Sequence, residues 1–282
     1  MGSLGCLTDG TLKLLALALE HGGYIAGGFA VVVARHLLLQ QPDLFAAILR
    51  HTRGQVGQYG GYHGDIDVWF PNAASLNQFL NDPRRLTAAS INQFLDTPLR
   101  LTGTVVKRTV TGSAIEYVVD GDVKVQVVTR WLRPIEDQIS HFDIYNAMVG
   151  LTNTTLVVPE HWEELERANV LHVHQWNSSY TMKRLFKYIY KKGYKALSPT
   201  TTDHLYDEVC KACEQHGAPT NYSYLGASLV ECRGRMGLFQ YRLKPIIASF
   251  SSEQLLQLSS LFTTRSNYDH AMQEIHRRMP VG

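Results

Sequence analysis

The sequence predicts an α+β protein: a mixed β-sheet core with flanking helices over residues 1–155, then a mainly helical region over 156–282. Three observations carry this. In "GYIAGGFAVVVARH" (23–36) a short apolar strand turns into an apolar helix through paired glycines. Strand-like segments crowd the stretch from residue 65 to 159, several of them alternating apolar and polar residues. From Pro159 onward the apolar residues recur at helical spacing instead, so the boundary between the two regions falls near 150–160.

Composition limits the functions available. A chain of 282 residues that is 45% hydrophobic and 18% charged buries a sizeable core and is not a disordered segment. With 27 basic against 25 acidic residues the net charge is +2, too small for a general nucleic-acid coat, so contact with nucleic acid has to be local. No apolar run reaches the roughly 18–20 residues needed to span a bilayer. "MGSLGC" has Gly2 but Cys6 where a myristoylation signal has Ser or Thr. No signal-peptide pattern is present, and four cysteines fit a reducing compartment. The expectation is a cytoplasmic protein with no membrane partner.

"TLKLLALALEH" (11–21) has the period of an amphipathic helix, and "FAVVVARHLLLQ" continues the glycine turn as a helix stopped by Pro42. A further helix is expected in "DLFAAILRHTR" (43–53). A glycine-rich loop over 54–64 then leads into the strand "DIDVWFP" (65–71). "SLNQFLNDPRRLT" (75–87) and "SINQFLDTPLRLT" (90–102) agree at nine of 13 positions, a tandem duplication read as two short helices in an enlarged insert. "TVVKRTV", "SAIEYVV" and "VKVQVVTRW" read as strands, the last two joined by the hairpin signal Asp120-Gly121. "HFDIYNAMVGL" (141–151) and "NTTLVVP" (153–159) read as two more. Helices are expected in "PEHWEELERANV", "YTMKRLFKYIYKKG", "TTDHLYDEVCKACEQHG" and "SEQLLQLSSLF".

The chemistry concentrates in two places. In a strand Asp65 and Asp67 share a face, with Cα atoms about 6.5–7 Å apart, while Ile66 and Val68 face the other way. Two carboxylates so placed repel each other unless a hard cation such as Mg²⁺ binds between them; the plainer reading is solvated acids at a strand end. Gly27 and Gly28 open a helix whose first N–H groups and dipole favour a phosphate; the plainer reading is a tight strand-to-helix turn.

Together, strand, Gly-Gly, helix and then Asp-x-Asp on a strand resemble the DNA polymerase β-like nucleotidyltransferase superfamily. The segments "KVQVV", "ISHFDIYNAM" and "RLFKYIYKKGY" further resemble phage- and microbe-encoded nucleotidyltransferase-like proteins, the likeness covering residues 22–195. The resemblance implies a nucleotidyltransferase-like mixed sheet and transfer of an NMP from an NTP to an acceptor hydroxyl. The sequence leaves the acceptor open among tRNA, another RNA 3′ end, a protein hydroxyl and a small molecule. The resemblance also implies Mg²⁺ or Mn²⁺, as two ions about 3.5–4 Å apart in one site. Gly27 and Gly28 become phosphate binders, and Asp65 and Asp67 metal ligands.

Two departures stand out. The gap between the glycines and the acids is long, so about residues 40–60 form an insertion. Gln126 occupies the strand position where a third acid is expected, and a neutral amide cannot act as a base. Asp143, in an expected strand, is the preferred third catalytic and metal-binding carboxylate. Glu116 is the other candidate, but a hairpin closing on Asp120-Gly121 sets it opposite Val125 and turns it from the Gln126 face.

The helix near residues 180–193 places Tyr180, Arg184, Lys187 and Lys191 on one stripe. Arg184, Lys187 and Lys191 suit a triphosphate or an RNA backbone, and a solvated helix face is the plainer reading. Arg233, Arg235, Arg242 and Lys244 would extend that surface. Weaker features are Cys210 and Cys213 (a single CxxC, too few ligands for zinc), the His172–Val173–His174 pair, and His63 in the glycine loop. The alternative function is a non-catalytic nucleotide- or RNA-binding module that kept the fold and lost its third acid. A purely structural protein is a third.

Overall fold

The structure, a computed structural model, describes residues 7, 9–53, 64–84, 106–119, 123–176, 181, 184–185, 187–216, 249–261 and 265–278. The chain divides into two compact units, one of residues 1–142 and 147–163, the other of 143–146 and 164–282.

The first unit is built on a seven-stranded mixed sheet in the order β3-β4-β5-β2-β1-β6-β7. The strands are β1 (Tyr24–Ala26), β2 (Ile66–Trp69), β3 (Val106–Val110), β4 (Ala114–Val119), β5 (Val123–Val128), β6 (Gly150–Leu151) and β7 (Leu156–Val157). β2 pairs parallel with β5; the other pairings are antiparallel. The alternation read in β2 is realised. Ile66, Val68 and Phe70 are fully buried in the main core with Val125, Val127, Ile115 and Tyr117, each side chain contributing on the order of 1.5–3 kcal/mol of burial. Asp65, Asp67 and Trp69 lie on the half-buried opposite face.

The flanking helices are α1 (Asp9–Glu20), α2 (Gly28–Leu39), α3 (Leu44–Arg53), α4 (Ala73–Asn81) and α5 (Ile135–Ser140). α2 ends at Gln40, whose backbone is left-handed (φ 52°), and Pro42 two residues on restricts Gln41 to non-helical conformations. α4 is capped by Asn72, whose side chain accepts the Ser75 N–H at 2.9 Å. α4 carries residues 75–81 of the first copy of the tandem duplication; residues 85–87 and the second copy lie outside the described residues.

One expected strand is absent. "HFDIYNAMVGL" instead forms a bend at Asp143, an isolated bridge from Ile144 to Val173, a 3₁₀ turn at Tyr145–Ala147 and only then β6. Asn146 explains the break, for its side chain serves as a backbone surrogate. Its Nδ2 donates to Val170 O and to Glu166 Oε1, and its Oδ1 accepts from His172 N. A buried asparagine making three such bonds fixes a turn better than a strand.

In the second unit, β8 (Val170–Leu171) pairs parallel with β9 (Ala196–Leu197). Around them stand α6 (Trp162–Ala168, its first two residues in the first unit), α7 (Pro199–His216), α8 (Ser252–Leu261), α9 (Arg265–Arg278) and a π-helical turn at Tyr188–Lys192 closed by Gly193. α9 has no counterpart in the expected elements, because its charged sequence masks the spacing of the buried Ala271 and Ile275. No helix among the described residues is long and apolar enough to cross a membrane.

Candidate active site

The glycine elbow and the acids meet in the first unit. Gly27 has φ 80° and ψ −142°, a backbone region open in practice only to glycine. It caps α2, which has no acidic residue in its first turn to offset the helix dipole. Gly27 N–H is committed to Val149 O at 3.0 Å, so the groups a phosphate would meet are those of the first helical residues, Gly28, Phe29 and Ala30. A Cβ on Gly27 would lie 4.0 Å from Asp67 Oδ2 and 3.8 Å from the Phe142 ring. The missing side chain therefore leaves open the space that faces Asp67.

Register sets the rest. Ala26, Asp67, Gln126 and Glu116 stand opposite one another across β1, β2, β5 and β4, and residues paired across strands share a face. This corrects the expected placement of Glu116. Val119 pairs with Val123, so three residues rather than two join β4 to β5, and a one-residue shift exchanges the faces of every side chain. Glu116 thus lies opposite Gln126, whose Nε2 donates to Glu116 Oε2 at 3.4 Å, with Lys124 Nζ 3.7 Å from the same oxygen.

His51, on α3, is the residue the sequence reading missed. Its Nε2 lies 3.1 Å from the carbonyl oxygen of Asp65, and its own carbonyl accepts the Gly64 N–H at 2.6 Å. A Cβ on Gly28 would come within 3.0 Å of its Cε1, and one on Gly64 within 2.6 Å of its carbonyl oxygen. Gly28 is thus glycine to make room for an imidazole, whereas Gly27 is glycine because of its backbone angle. Trp69 and Phe142, with ring centroids 6.2 Å apart, extend the same neighbourhood.

Asp143 belongs to the second unit and is held there. Arg184 Nη1 donates to its Oδ1 at 2.8 Å and Thr181 Oγ1 to its Oδ2 at 3.1 Å, while its backbone carbonyl accepts from His174 and Gln175. Arg184 is therefore an ion-pair partner of Asp143. Lys187 is half-buried at the start of the π-helical turn that contains Lys191, and Tyr180, His63 and the cations at 233–244 lie outside the described residues. His172 and His174 both pack on the Tyr145 ring, and His172 Nδ1 is 2.7 Å from Ser198 Oγ. Burial, then the neighbouring His174, lowers the His172 pKa from its ordinary value. Cys210 is not in a disulfide.

Among the described residues no group of three or more His, Cys, Asp or Glu side chains is arranged to hold a metal ion. The pair Asp65 and Asp67 still fits a hard divalent cation by its chemistry: two carboxylates on one half-open face beside an elbow with no side chain.

No protein-family model matches this sequence, and no curated protein sequence matches it. Among solved structures, a CCA-adding enzyme with ATP is similar at TM-score 0.50 and 12% identity, covering 98% of this chain and 72% of that one. A CCA-adding enzyme with CTP gives 0.48 and 12%, over 99% and 68%. The Thermotoga maritima CCA-adding enzyme complexed with tRNA gives 0.45 and 12%, over 98% and 68%. The first of these likenesses, at 12% identity, shows a shared fold: a mixed sheet with flanking helices and a helical C-terminal region.

Proposed function

We propose that this protein is a metal-dependent nucleotidyltransferase that moves an NMP from an NTP to an acceptor hydroxyl, with an RNA 3′ end such as that of tRNA as the acceptor. The observation that carries the reading is the placement of Asp67 against the Gly27 elbow, with Asp65 on the same face, in a fold shared with nucleotidyltransferases. Asp65 and Asp67 would hold Mg²⁺ or Mn²⁺, which when bound supplies positive charge to the reacting phosphate. The N–H groups that open α2 bind the β- and γ-phosphates and orient the α-phosphate. The acceptor oxygen bonds to that phosphorus, the bond to the bridging oxygen breaks, pyrophosphate leaves, and the hydroxyl proton passes to a carboxylate. Asp143 and Glu116 are the two candidates for that carboxylate, and Glu116 is favoured by its row. Lys187 and Lys191 remain candidate phosphate contacts.

The test is transfer of label from each [α-³²P]NTP to total cellular RNA or protein. Asp65→Ala with Asp67→Ala is expected to abolish it; undiminished transfer overturns the reading. One observation favours a second reading, a nucleotide- or RNA-binding module without turnover: a neutral Gln126 flanks Asp67 where a carboxylate is expected. Calorimetry with NTP and Mg²⁺ separates the two, since binding without transfer to any acceptor supports the module.

A further inference from the structure

We infer that His51 is a positioning residue that fastens the acid-bearing strand to the glycine elbow. This rests on the reading of Asp65 and Asp67 as the cation-holding pair. A carbonyl oxygen only accepts, so the 3.1 Å contact with Asp65 requires a proton on His51 Nε2, and the ring donates to the backbone of Asp65. The same ring lies where a Cβ on Gly28 would meet it, and it meets Phe29 edge-on with centroids 5.9 Å apart. It is 8% exposed. One side chain thus touches the first turn of α2 and the residue just before β2.

Its own helix supplies a second tie. The Gly64 N–H, immediately before Asp65, is bonded to the His51 carbonyl. Residues 64 and 65 are therefore gripped by both the backbone and the side chain of one residue. β1 and β2 are already paired, but their register leaves Asp65 two residues outside the ladder, beyond the Ala26 to Asp67 pair. His51 acts on Asp65 from behind, through the peptide group, which is how a residue that touches no ligand tunes one that does.

The test reads cation binding without turnover. Mn²⁺ affinity is measured by electron paramagnetic resonance for the full chain and five variants, with melting temperatures alongside. Asp65→Ala with Asp67→Ala is the control; if it binds Mn²⁺ as the natural protein does, the cation reading falls and His51 with it. His51→Ala is expected to weaken Mn²⁺ binding about tenfold, the usual scale for a residue that orients a ligand, and His51→Gln, which keeps a donor, to restore most of it. Gly28→Ala is expected to weaken binding by pushing the ring, and Gly28→Ala with His51→Ala to be no weaker than His51→Ala alone. If the control abolishes binding but His51→Ala binds normally, or His51→Gln fails to restore it, the His51 proposal is overturned while the acid pair stands.

Discussion

Two aspartates of this chain look alike in sequence, each set between apolar neighbours, and the structure treats them oppositely. Asp143 has one carboxylate oxygen on Arg184 and the other on Thr181, so its charge is neutralised within the protein. Asp67 stands on a half-buried sheet face, pointing at an elbow where no side chain exists. On the proposed reading Asp143 holds the fold together, whereas Asp67, beside the glycine elbow, meets a ligand from outside, and the contrast then separates a structural acid from a chemical one.

The sharpest way to break it is to remove the acids. Asp65→Ala with Asp67→Ala is expected to take label transfer below detection with the melting temperature changed far less than the activity. Asp143→Ala should show the reverse: about 1–3 kcal/mol lost in denaturant unfolding through the stranded Arg184 and Thr181, toward the lower end because Arg184 is 54% exposed, with transfer retained. If Asp143→Asn abolishes transfer at unchanged stability, Asp143 is the third carboxylate and the contrast fails. Gly27→Ala forces a residue with a Cβ into a glycine-only backbone region, and about 1–3 kcal/mol of strain is expected by urea unfolding.

Smaller effects sharpen the comparison. Glu116→Gln is expected to lower kcat for transfer more than Asp143→Asn does, without changing KM for NTP, which kinetics on the two variants will check. In the second unit, His172 is held below its ordinary value of 6.5, mainly by burial. The unfolded chain therefore takes up a proton there more readily than the folded one. Stability is complete above that value and falls as pH drops below it. Melting curves from pH 8 to 5 should show this decline, and His172→Asn should flatten it.

The elements nearest the elbow were legible because each has a local cause. Alternation around Asp65 and Asp67 marks a strand with one buried face, and paired glycines between an apolar strand and helix mark the turn. Glu116 was misplaced because register in a hairpin depends on the number of loop residues, and Asp120-Gly121 resembles a two-residue turn while three residues span the gap. His51 was invisible because it stands 23 residues after Gly28 and 14 before Asp65, on a helix whose sequence names no partner. The segment at 141–151 was misread because Asn146 breaks an apolar run through bonds to distant backbone.

The parallel pairing of β2 against β5, the sole one in this sheet among the described residues, obliges the chain to travel out and back between these two strands. The tandem copies sit on that excursion, between residues 69 and 106. Closing a connection twice as long costs only about 0.6 kcal/mol. A lineage could therefore gain or shed a whole copy there while the architecture around Asp67 stayed as it was, which makes this detour a place where evolution can experiment cheaply with new surface.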